Sequence, residues 1–193
     1  MFNPSREGKK IGMIQILDKS FVPYLSKETL QERIQSLGAE ISADYAGKPL
    51  CVLAVLNGAF MFCSDLVKEI TIPMELQFIK IASYAGTRST GEVSELLGLS
   101  TSLKGKEILI VEDIVDTGLS MQYLLASMAK EAAASIRICS LLVKPEALQH
   151  PVDIHYTGFE IPKKFVVGYG LDYNGFGRNI GEIYQLKEDE HTL

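Results

Sequence analysis

The sequence is short of cysteine and histidine, and neither residue is arranged for redox or metal chemistry. The three cysteines, Cys51, Cys63 and Cys139, are odd in number and lack the spacing of metal ligands. Cys51 and Cys139 lie inside apolar runs, which favours buried, reduced thiols in a cytoplasmic protein over disulfides. The three histidines show neither metal-ligand spacing nor a neighbouring nucleophile, so we expect none of them to be catalytic.

Excess positive charge and membrane-length apolar segments are also lacking. Lysine and arginine number 19 against 24 aspartates and glutamates, and the net charge of −5 argues against a nucleic-acid partner. A phosphorylated substrate remains compatible with this charge, because local N–H groups, basic side chains and metal ions bind phosphate on an acidic protein. The apolar runs are too short to span a membrane, and the polar N-terminus has no signal-peptide core. We therefore expect a cytoplasmic protein with no membrane partner.

Length and patterning predict one α/β domain over residues 1–193. The chain is 47% hydrophobic and 22% charged, as is usual for a globular domain. Apolar periodicity and turn residues alternate strands with helices, which predicts a mainly parallel central sheet flanked by helices. The predicted strands span residues 50–56, 74–82, 107–112, 135–143, 165–169 and 182–186. The predicted helices span residues 26–46, 59–70 and 118–133, and residues 83–94 form a loop.

Residues 108–121, which read ILIVEDIVDTGLSM, are the most informative segment of the chain. A short apolar run stops at Glu112 and Asp113, and Asp116 follows just before a Thr-Gly-Leu-Ser loop and a helix. An apolar run of this length is typical of a buried parallel strand. Open α/β sheets bind their ligands at the carboxyl ends of such strands. The sequence therefore predicts a site here.

The residue types in this segment fit a phosphorylated sugar. A loop with Gly118 and two hydroxyl groups, opening a helix, presents backbone N–H groups to an anion. The carboxylates of Glu112 and Asp113 would repel phosphate, but they can accept hydrogen bonds from sugar hydroxyls or meet a divalent cation. Asp116, at the edge of the loop, is placed for proton transfer.

This segment resembles the phosphoribosyl-diphosphate-binding motif of the type I phosphoribosyltransferases. Further segments narrow the resemblance to the hypoxanthine-guanine phosphoribosyltransferases. They are LNGA at residues 56–59, SYAGTRSTG at 83–91, SLLVK at 140–144, and FVVGY at 165–169 followed by LDYN and Arg178. They occur in the family's order and cover roughly residues 50–180.

The resemblance implies a fold and an activity. The fold is a mainly parallel central sheet flanked by helices, with a small hood formed by about residues 1–22 and 160–193. The activity is Mg²⁺-dependent transfer of 5-phosphoribosyl from phosphoribosyl diphosphate to N9 of hypoxanthine or guanine, giving IMP or GMP and pyrophosphate in purine salvage. A homodimer or homotetramer is expected. A xanthine-preferring 6-oxopurine enzyme and a non-catalytic sensor of phosphoribosyl diphosphate are the alternatives.

The resemblance also assigns roles to individual residues. Asp116 is the general base or acid, and Glu112 and Asp113 hold the ribose. The 5-phosphate loop comprises Asp116, Thr117, Gly118, Leu119 and Ser120. The pyrophosphate is bound by Asn57, Gly58, Ser83, Tyr84 and Arg178, and the purine by Lys144, Phe165, Val166 and Asp172. The expected metal ligands are Glu112, Asp113 and Asp172.

Several of these residues also have ordinary structural interpretations. Asn57 and Gly58 would suit a plain turn, because an Asn-Gly pair favours one. Lys144 could be solvated at a strand end, and Phe165 could belong to the core. The resemblance favours the functional role at each position.

Overall fold

The structure is a computed structural model that describes residues 12–83, 93–97 and 102–187, with the backbone alone for residues 82–83 and 93–97. The strands, in chain order, are β1 (Ile14–Ile16), β2 (Lys19–Leu25), β3 (Leu50–Leu56), β4 (Met74–Ser83), β5 (Val93–Leu97), β6 (Glu107–Val115), β7 (Ser135–Val143), β8 (Tyr156–Glu160), β9 (Val166–Val167) and β10 (Ile183–Leu186). The helices are α1 (Lys27–Asp44), α2 (Phe60–Glu69) and α3 (Leu119–Met128), and Pro145–Ala147 form a 3-10 turn.

The central sheet has the strand order β5-β4-β3-β6-β7-β8. Five of these strands are parallel, and β5 pairs antiparallel with β4 at one edge. The mainly parallel α/β sheet predicted from the sequence is thereby confirmed. Because parallel strands point the same way, the carboxyl ends of β3, β6 and β7 lie at one edge, where the predicted site residues follow them.

Local sequence explains why these elements form. Six of the seven residues of β3 are buried, as expected for a central parallel strand. Helix α1 begins after Ser26, whose side-chain oxygen accepts a hydrogen bond from the backbone N–H of Thr29 at 3.2 Å. One face of α1 is fully buried against the sheet and consists of Leu30, Ile34, Leu37 and Ile41. In the part of the chain that the structure describes, no helix is both long and apolar enough to cross a membrane.

A second, antiparallel sheet joins the two ends of the described chain in the order β1-β2-β10-β9. Its own small core consists of Ile16, Phe21, Val167 and Tyr184. The hood expected from residues 1–22 and 160–193 is therefore built from strands within residues 14–25 and 166–186. That the whole chain forms one domain stays a prediction.

Several predicted boundaries were wrong. Strand β6 continues to Val115, because its pairing with β7 extends to Val143. Helix α3 ends at Met128 instead of residue 133, and Ala132 beyond it has a φ of 51°. The strand predicted over residues 165–169 is reduced to β9, because positive φ angles begin at Gly168. Of the predicted loop 83–94, both ends belong to strands β4 and β5. Strands β1, β2, β5 and β8 were not predicted.

Candidate active site

A cleft opens at the carboxyl edge of the sheet, where β6 continues beyond the last residue that pairs with β3. Strand β6 pairs with β3 as far as the match of Ala54 with Val111, but it stays paired with β7 as far as Val115. The residues after Val111 therefore line a cavity of about 250 Å³ at the carboxyl edge of the sheet. Its walls include the three predicted acids together with Gly58, Thr117, Gly118 and Ser120.

Glu112 and Asp113 occupy different environments at the base of this cleft. Glu112 is 7% exposed, and its Oε1 accepts a hydrogen bond from the backbone N–H of Asp113 at 3.1 Å. Asp113 is half-buried, and its Oδ1 accepts the N–H of Ile114 at 2.9 Å. Burial, and then the neighbouring carboxylate of Asp113, raise the pKa of Glu112 well above its usual value. A persistent negative charge on Glu112 is therefore disfavoured.

The predicted phosphate loop is held in place by its neighbours. The carbonyl oxygen of Thr117 accepts two backbone N–H groups, from Gln149 at 3.1 Å and from His150 at 3.0 Å. Gly118 caps helix α3 with a φ of 83°, and a Cβ atom here would lie 2.3 Å from the carbonyl oxygen of His150. Glycine is therefore required at this position. The first N–H groups of α3 have no partner within the helix, although that of Leu119 donates to Oγ1 of Thr117 at 3.5 Å. N–H groups at the start of a helix suit an anion.

The turn at Asn57 and Gly58 packs directly against the acids. The peptide bond between Leu56 and Asn57 is cis. A Cβ atom on Gly58 would lie 1.6 Å from Oδ2 of Asp113, so a larger residue would displace the Asp113 carboxylate. On its other side, the carbonyl oxygen of Gly58 lies close to Gly170, where a Cβ atom would be 2.1 Å away. Gly58 thus lies between the end of β6 and the hood.

A second cavity of about 260 Å³ lies next to the first, on the hood side. Its walls are Asp113, Ile114, Asp116, Lys144, Phe165, Val166, Leu171 and Asp172. Asp113, Ile114 and Asp116 also line the first cavity. The two cavities therefore meet at Asp113 and Asp116. Within the second, Nζ of Lys144 is 2.9 Å from Oδ2 of Asp116.

An aromatic side chain forms one wall of the second cavity. Phe165 is 44% exposed, so part of its ring is free to contact a ligand. Tyr173 supports the ring edge-on, with centroids 5.9 Å apart and ring planes at 82°, and Phe21 lies 6.3 Å away. Val166, the next residue, is buried and pairs with Gln185 of β10. The hood therefore positions the aromatic wall.

Asp172, on another wall of the second cavity, forms an ion pair with Arg178. Nη2 of Arg178 is 2.6 Å from Oδ1 of Asp172, and its Nη1 donates to the carbonyl oxygen of Gly170 at 2.7 Å. The second oxygen of Asp172 accepts the N–H of Gly175 at 2.7 Å. Both predicted functional side chains therefore stabilise the loop that carries them.

Comparison with known proteins agrees with this geometry. Residues 24–174 match the phosphoribosyl transferase domain family. The chain is 42% identical to the hypoxanthine-guanine phosphoribosyltransferase of Mycobacterium avium, covering 84% of this chain and 83% of the relative. It is 38% identical to the enzyme of that name from Staphylococcus aureus, covering 87% and 94% respectively. This chain belongs to the hypoxanthine-guanine phosphoribosyltransferase family.

A solved structure supports the same assignment. The crystal structure of a hypoxanthine phosphoribosyltransferase from Staphylococcus aureus, in a tetragonal space group, matches with a TM-score of 0.82 at 39% sequence identity. The match covers 86% of this chain and 90% of the other. The central sheet and the hood described above are therefore the phosphoribosyltransferase fold.

The residues that the structure describes suit a magnesium ion coordinated by protein, water and substrate together better than one coordinated by protein side chains alone. Among them, no group of three or more histidine, cysteine, aspartate or glutamate side chains is placed to hold a metal. Mg²⁺ typically takes one or two carboxylates and completes its coordination with water and substrate phosphates. Asp113 offers a carboxylate of this kind, because it lines both cavities.

Two of the residues assigned to the pyrophosphate cannot be placed. Tyr84 lies outside the described residues, as do residues 85–92 of the segment that resembles the family's mobile loop. Ser83 ends β4, and its side chain is likewise outside the described part of the structure.

Sequence reasoning missed apolar residues that line the site. Ile114 lines both cavities, Ile81 and Met121 line the first, and Leu171 lines the second. Ile114 and Leu171 each adjoin an assigned acid in the chain, and this adjacency was an available signal. Ile81 and Met121 look like ordinary core residues in the sequence, so no comparable signal existed for them.

Proposed function

We propose that this protein transfers a 5-phosphoribosyl group from phosphoribosyl diphosphate to N9 of hypoxanthine or guanine, forming IMP or GMP and pyrophosphate. One observation carries the proposal. A cavity with a helix-capping phosphate loop meets a cavity with a lysine and an exposed aromatic ring, and Asp113 and Asp116 stand at the junction. A sugar phosphate in the first cavity would present its C1 to a base in the second.

The first cavity supplies the groups that would bind phosphoribosyl diphosphate. The backbone N–H groups of the loop from Asp116 to Ser120, including Leu119, and the hydroxyls of Thr117 and Ser120 would hold the 5-phosphate. The carboxylates of Glu112 and Asp113 would accept the ribose hydroxyls. Anchoring both ends of the sugar fixes C1 relative to the base, which lowers the entropic cost of the reaction.

The second cavity supplies the groups that would select a 6-oxopurine. The ammonium of Lys144 has three donors and no acceptor, so it favours a 6-oxo group over a 6-amino group. The face of Phe165 would stack on the purine ring. Val166, through its backbone, and Asp172 would contact the base edge.

The transfer makes and breaks one bond each at C1 of the ribose. N9 of the purine forms a bond to C1 as the bond from C1 to the pyrophosphate oxygen breaks, and the electron pair leaves with pyrophosphate. Positive charge develops on the purine, and Asp116 would take the proton from N7. Water must be kept from C1 during this step, because hydrolysis would compete with transfer.

The pyrophosphate and its metal would lie beside the Asn57–Gly58 turn. Backbone groups of this turn, Ser83, Tyr84 and Arg178 are proposed to bind the pyrophosphate. Asp113 is the best-placed protein ligand for Mg²⁺, and Glu112 and Asp172 are the further candidates. Mg²⁺ would neutralise charge on the leaving pyrophosphate.

The direct test is nucleotide formation from phosphoribosyl diphosphate, with and without Mg²⁺. Hypoxanthine, guanine, xanthine, adenine and orotate would be assayed in parallel. We expect magnesium-dependent turnover of hypoxanthine or guanine and none of adenine or orotate. Preferential turnover of xanthine would replace the assigned substrate. Binding of phosphoribosyl diphosphate without turnover of any base would contradict the proposed enzymatic function and favour a non-catalytic sensor.

Assembly and location remain predictions. Family membership supports a homodimer or homotetramer, and light scattering coupled to size-exclusion chromatography would distinguish the two. A cytoplasmic location is the expectation from the cysteine pattern, and fractionation of cells would test it.

A further inference from the structure

A buried tyrosine that lines neither cavity fastens the hood to the helices of the central sheet. Tyr169 is 2% exposed, and its hydroxyl donates to Oδ2 of Asp65 at 2.5 Å. The same oxygen accepts Nε2 of Gln31 at 3.0 Å, and Oδ1 is 2.5 Å from Nζ of Lys68. One carboxylate on α2 thus joins a residue of α1 to a residue of the hood. A hydrogen bond to an ionised group is stronger than one between neutral groups.

The backbone around Tyr169 is in a conformation that needs such an anchor. Gly168, Tyr169 and Gly170 have consecutive φ angles of 96°, 50° and 99°. The left-handed region suits glycine but is unfavourable for a bulky residue such as tyrosine. The backbone N–H of Tyr169 donates to the carbonyl oxygen of Ile180 at 2.7 Å. This bond and the buried phenol together hold the turn in its conformation.

This turn adjoins the loops proposed to bind both substrates. On one side, Gly170 packs against the carbonyl oxygen of Gly58 in the proposed pyrophosphate turn. On the other side, the chain continues directly into Leu171 and Asp172, which line the second cavity, the proposed site of the purine base. Helix α2, which carries Asp65, begins at Phe60, immediately after the pyrophosphate turn. The hydrogen bond from Tyr169 to Asp65 therefore connects the two substrate-binding loops through α2.

We propose that Tyr169 and Asp65 are positioning residues that set the purine cavity against the pyrophosphate turn. Neither residue touches a substrate in this proposal, and both act through the placement of Leu171 and Asp172. The inference rests on the proposed phosphoribosyl transfer and adds to it two residues that determine the affinity for the base.

Removing the phenol hydroxyl is the sharpest test. In Tyr169→Phe the ring keeps its packing and the hydrogen bond is lost. We expect the KM for hypoxanthine or guanine to rise about five- to tenfold, which is less than the full loss of a hydrogen bond to an ionised group, because this bond acts on the base only through the placement of Leu171 and Asp172. The KM for phosphoribosyl diphosphate should rise by about twofold at most, because the pyrophosphate turn keeps the bond from Ala59 N–H to the carbonyl oxygen of Val55 at 3.2 Å.

The chain provides a matched control at the opposite end of the sheet. Tyr156 is also 2% exposed, and its hydroxyl donates to Oδ2 of Asp44 at 2.8 Å. Tyr156→Phe therefore removes a bond of the same kind, together with the one that Nη1 of Arg137 donates to this hydroxyl at 2.9 Å, from a buried tyrosine that lines neither cavity. We expect it to lower the melting temperature without changing the KM for the base.

A second pair of variants distinguishes positioning from general destabilisation. Asp65→Asn leaves Tyr169 a neutral amide acceptor in place of a carboxylate, so it should raise the KM for the base less than Tyr169→Phe does, and the double variant should be no worse than Tyr169→Phe. The dissociation constant of GMP, measured by calorimetry, provides a readout that does not need turnover. Unchanged KM and GMP affinity in both folded variants, with a melting temperature lowered as in Tyr156→Phe, would overturn the proposal. Failure of the phosphoribosyl transfer itself would appear separately, as an inactive wild-type protein that does not bind GMP.

Discussion

Nζ of Lys144 lies 2.9 Å from Oδ2 of Asp116, and the two side chains differ sharply in exposure. The lysine side chain is 9% exposed and the aspartate 48%. A buried ammonium is costly unless it is paired, and Asp116 supplies that partner. The pair places a donor and an acceptor side by side in the second cavity. The 6-oxo group and N7 lie on the same edge of a 6-oxopurine, so this spacing suits the two roles proposed for these residues.

Asp116→Asn tests the proton-transfer role. The amide keeps an oxygen for Lys144 but cannot take a proton, so we expect kcat to fall about 10²- to 10⁴-fold. The affinity for phosphoribosyl diphosphate, measured by calorimetry, should change little. Asp153→Asn, at a side chain that is 91% exposed, is the control. Turnover near that of the wild-type protein would exclude Asp116 as the general base.

Lys144→Gln tests the discrimination between purines. Glutamine loses the ammonium and gains an acceptor that an exocyclic amine can use. We expect kcat/KM for hypoxanthine to fall about 10- to 100-fold, as when a hydrogen bond from a charged donor is lost. The preference for hypoxanthine over adenine should fall with it. Lys130→Gln, at an exposed position, is the control. An unchanged ratio of the kcat/KM values for hypoxanthine and adenine would show that Lys144 does not determine the specificity.

The parts of the fold that the sequence predicted are those with an uninterrupted local signal. Strands β3 and β7 were predicted from end to end, because their apolar runs are bounded by turns. The end of β6 was wrong because two acids interrupt the run at Glu112 and Asp113. There, pairing with β7 keeps the chain extended, and that contact lies outside the local sequence.

Contacts between distant residues explain what the sequence could not predict. The hydrogen bond from Tyr169 to Asp65 joins residues 104 positions apart, and no local pattern marks either one. In the hood, β2 pairs with β10 from the other end of the chain, and Ile16 of β1 shares a small core with Tyr184 of β10, so neither segment has a strong strand signal alone. By contrast, the segment from Glu112 to Ser120 places its acids and loop together in the sequence itself, and they do line one cavity.

Gly118→Ala tests the phosphate loop. Alanine would bring a Cβ atom within 2.3 Å of the carbonyl oxygen of His150, at a φ of 83°. The backbone must shift, and we expect kcat/KM for phosphoribosyl diphosphate to fall about a hundredfold. Gly105→Ala is the matched control, because Gly105 has a φ of 73° with nothing within 4 Å of the added atom.

The control separates backbone strain from displacement of the loop. Both alanine variants should lose about 1–3 kcal/mol of unfolding free energy to the positive φ. Only Gly118→Ala should lose affinity for phosphoribosyl diphosphate. Equal kinetics in the two variants would show that the loop after Asp116 does not bind the 5-phosphate.

Glu112→Gln tests the buried carboxyl through the pH dependence of stability. Because burial raises the pKa of Glu112 above 4.5 in the folded protein, the folded state holds this proton more tightly than the unfolded chain does. The contribution of Glu112 to the unfolding free energy is therefore complete below the unfolded pKa. It is lost as the pH rises from about 4.5 through the raised folded pKa.

Glutamine does not ionise, so the variant should lack this loss. We expect Glu112→Gln to gain stability relative to the wild-type protein between about pH 4.5 and neutrality, and to bind phosphoribosyl diphosphate more weakly. Urea unfolding in metal-free buffer across this range measures the first effect, and calorimetry the second. Glu32→Gln, at an exposed position on α1, should follow the wild-type curve. Parallel stability curves for Glu112→Gln and wild-type protein would mean that Glu112 titrates normally and is already charged at the base of the cleft.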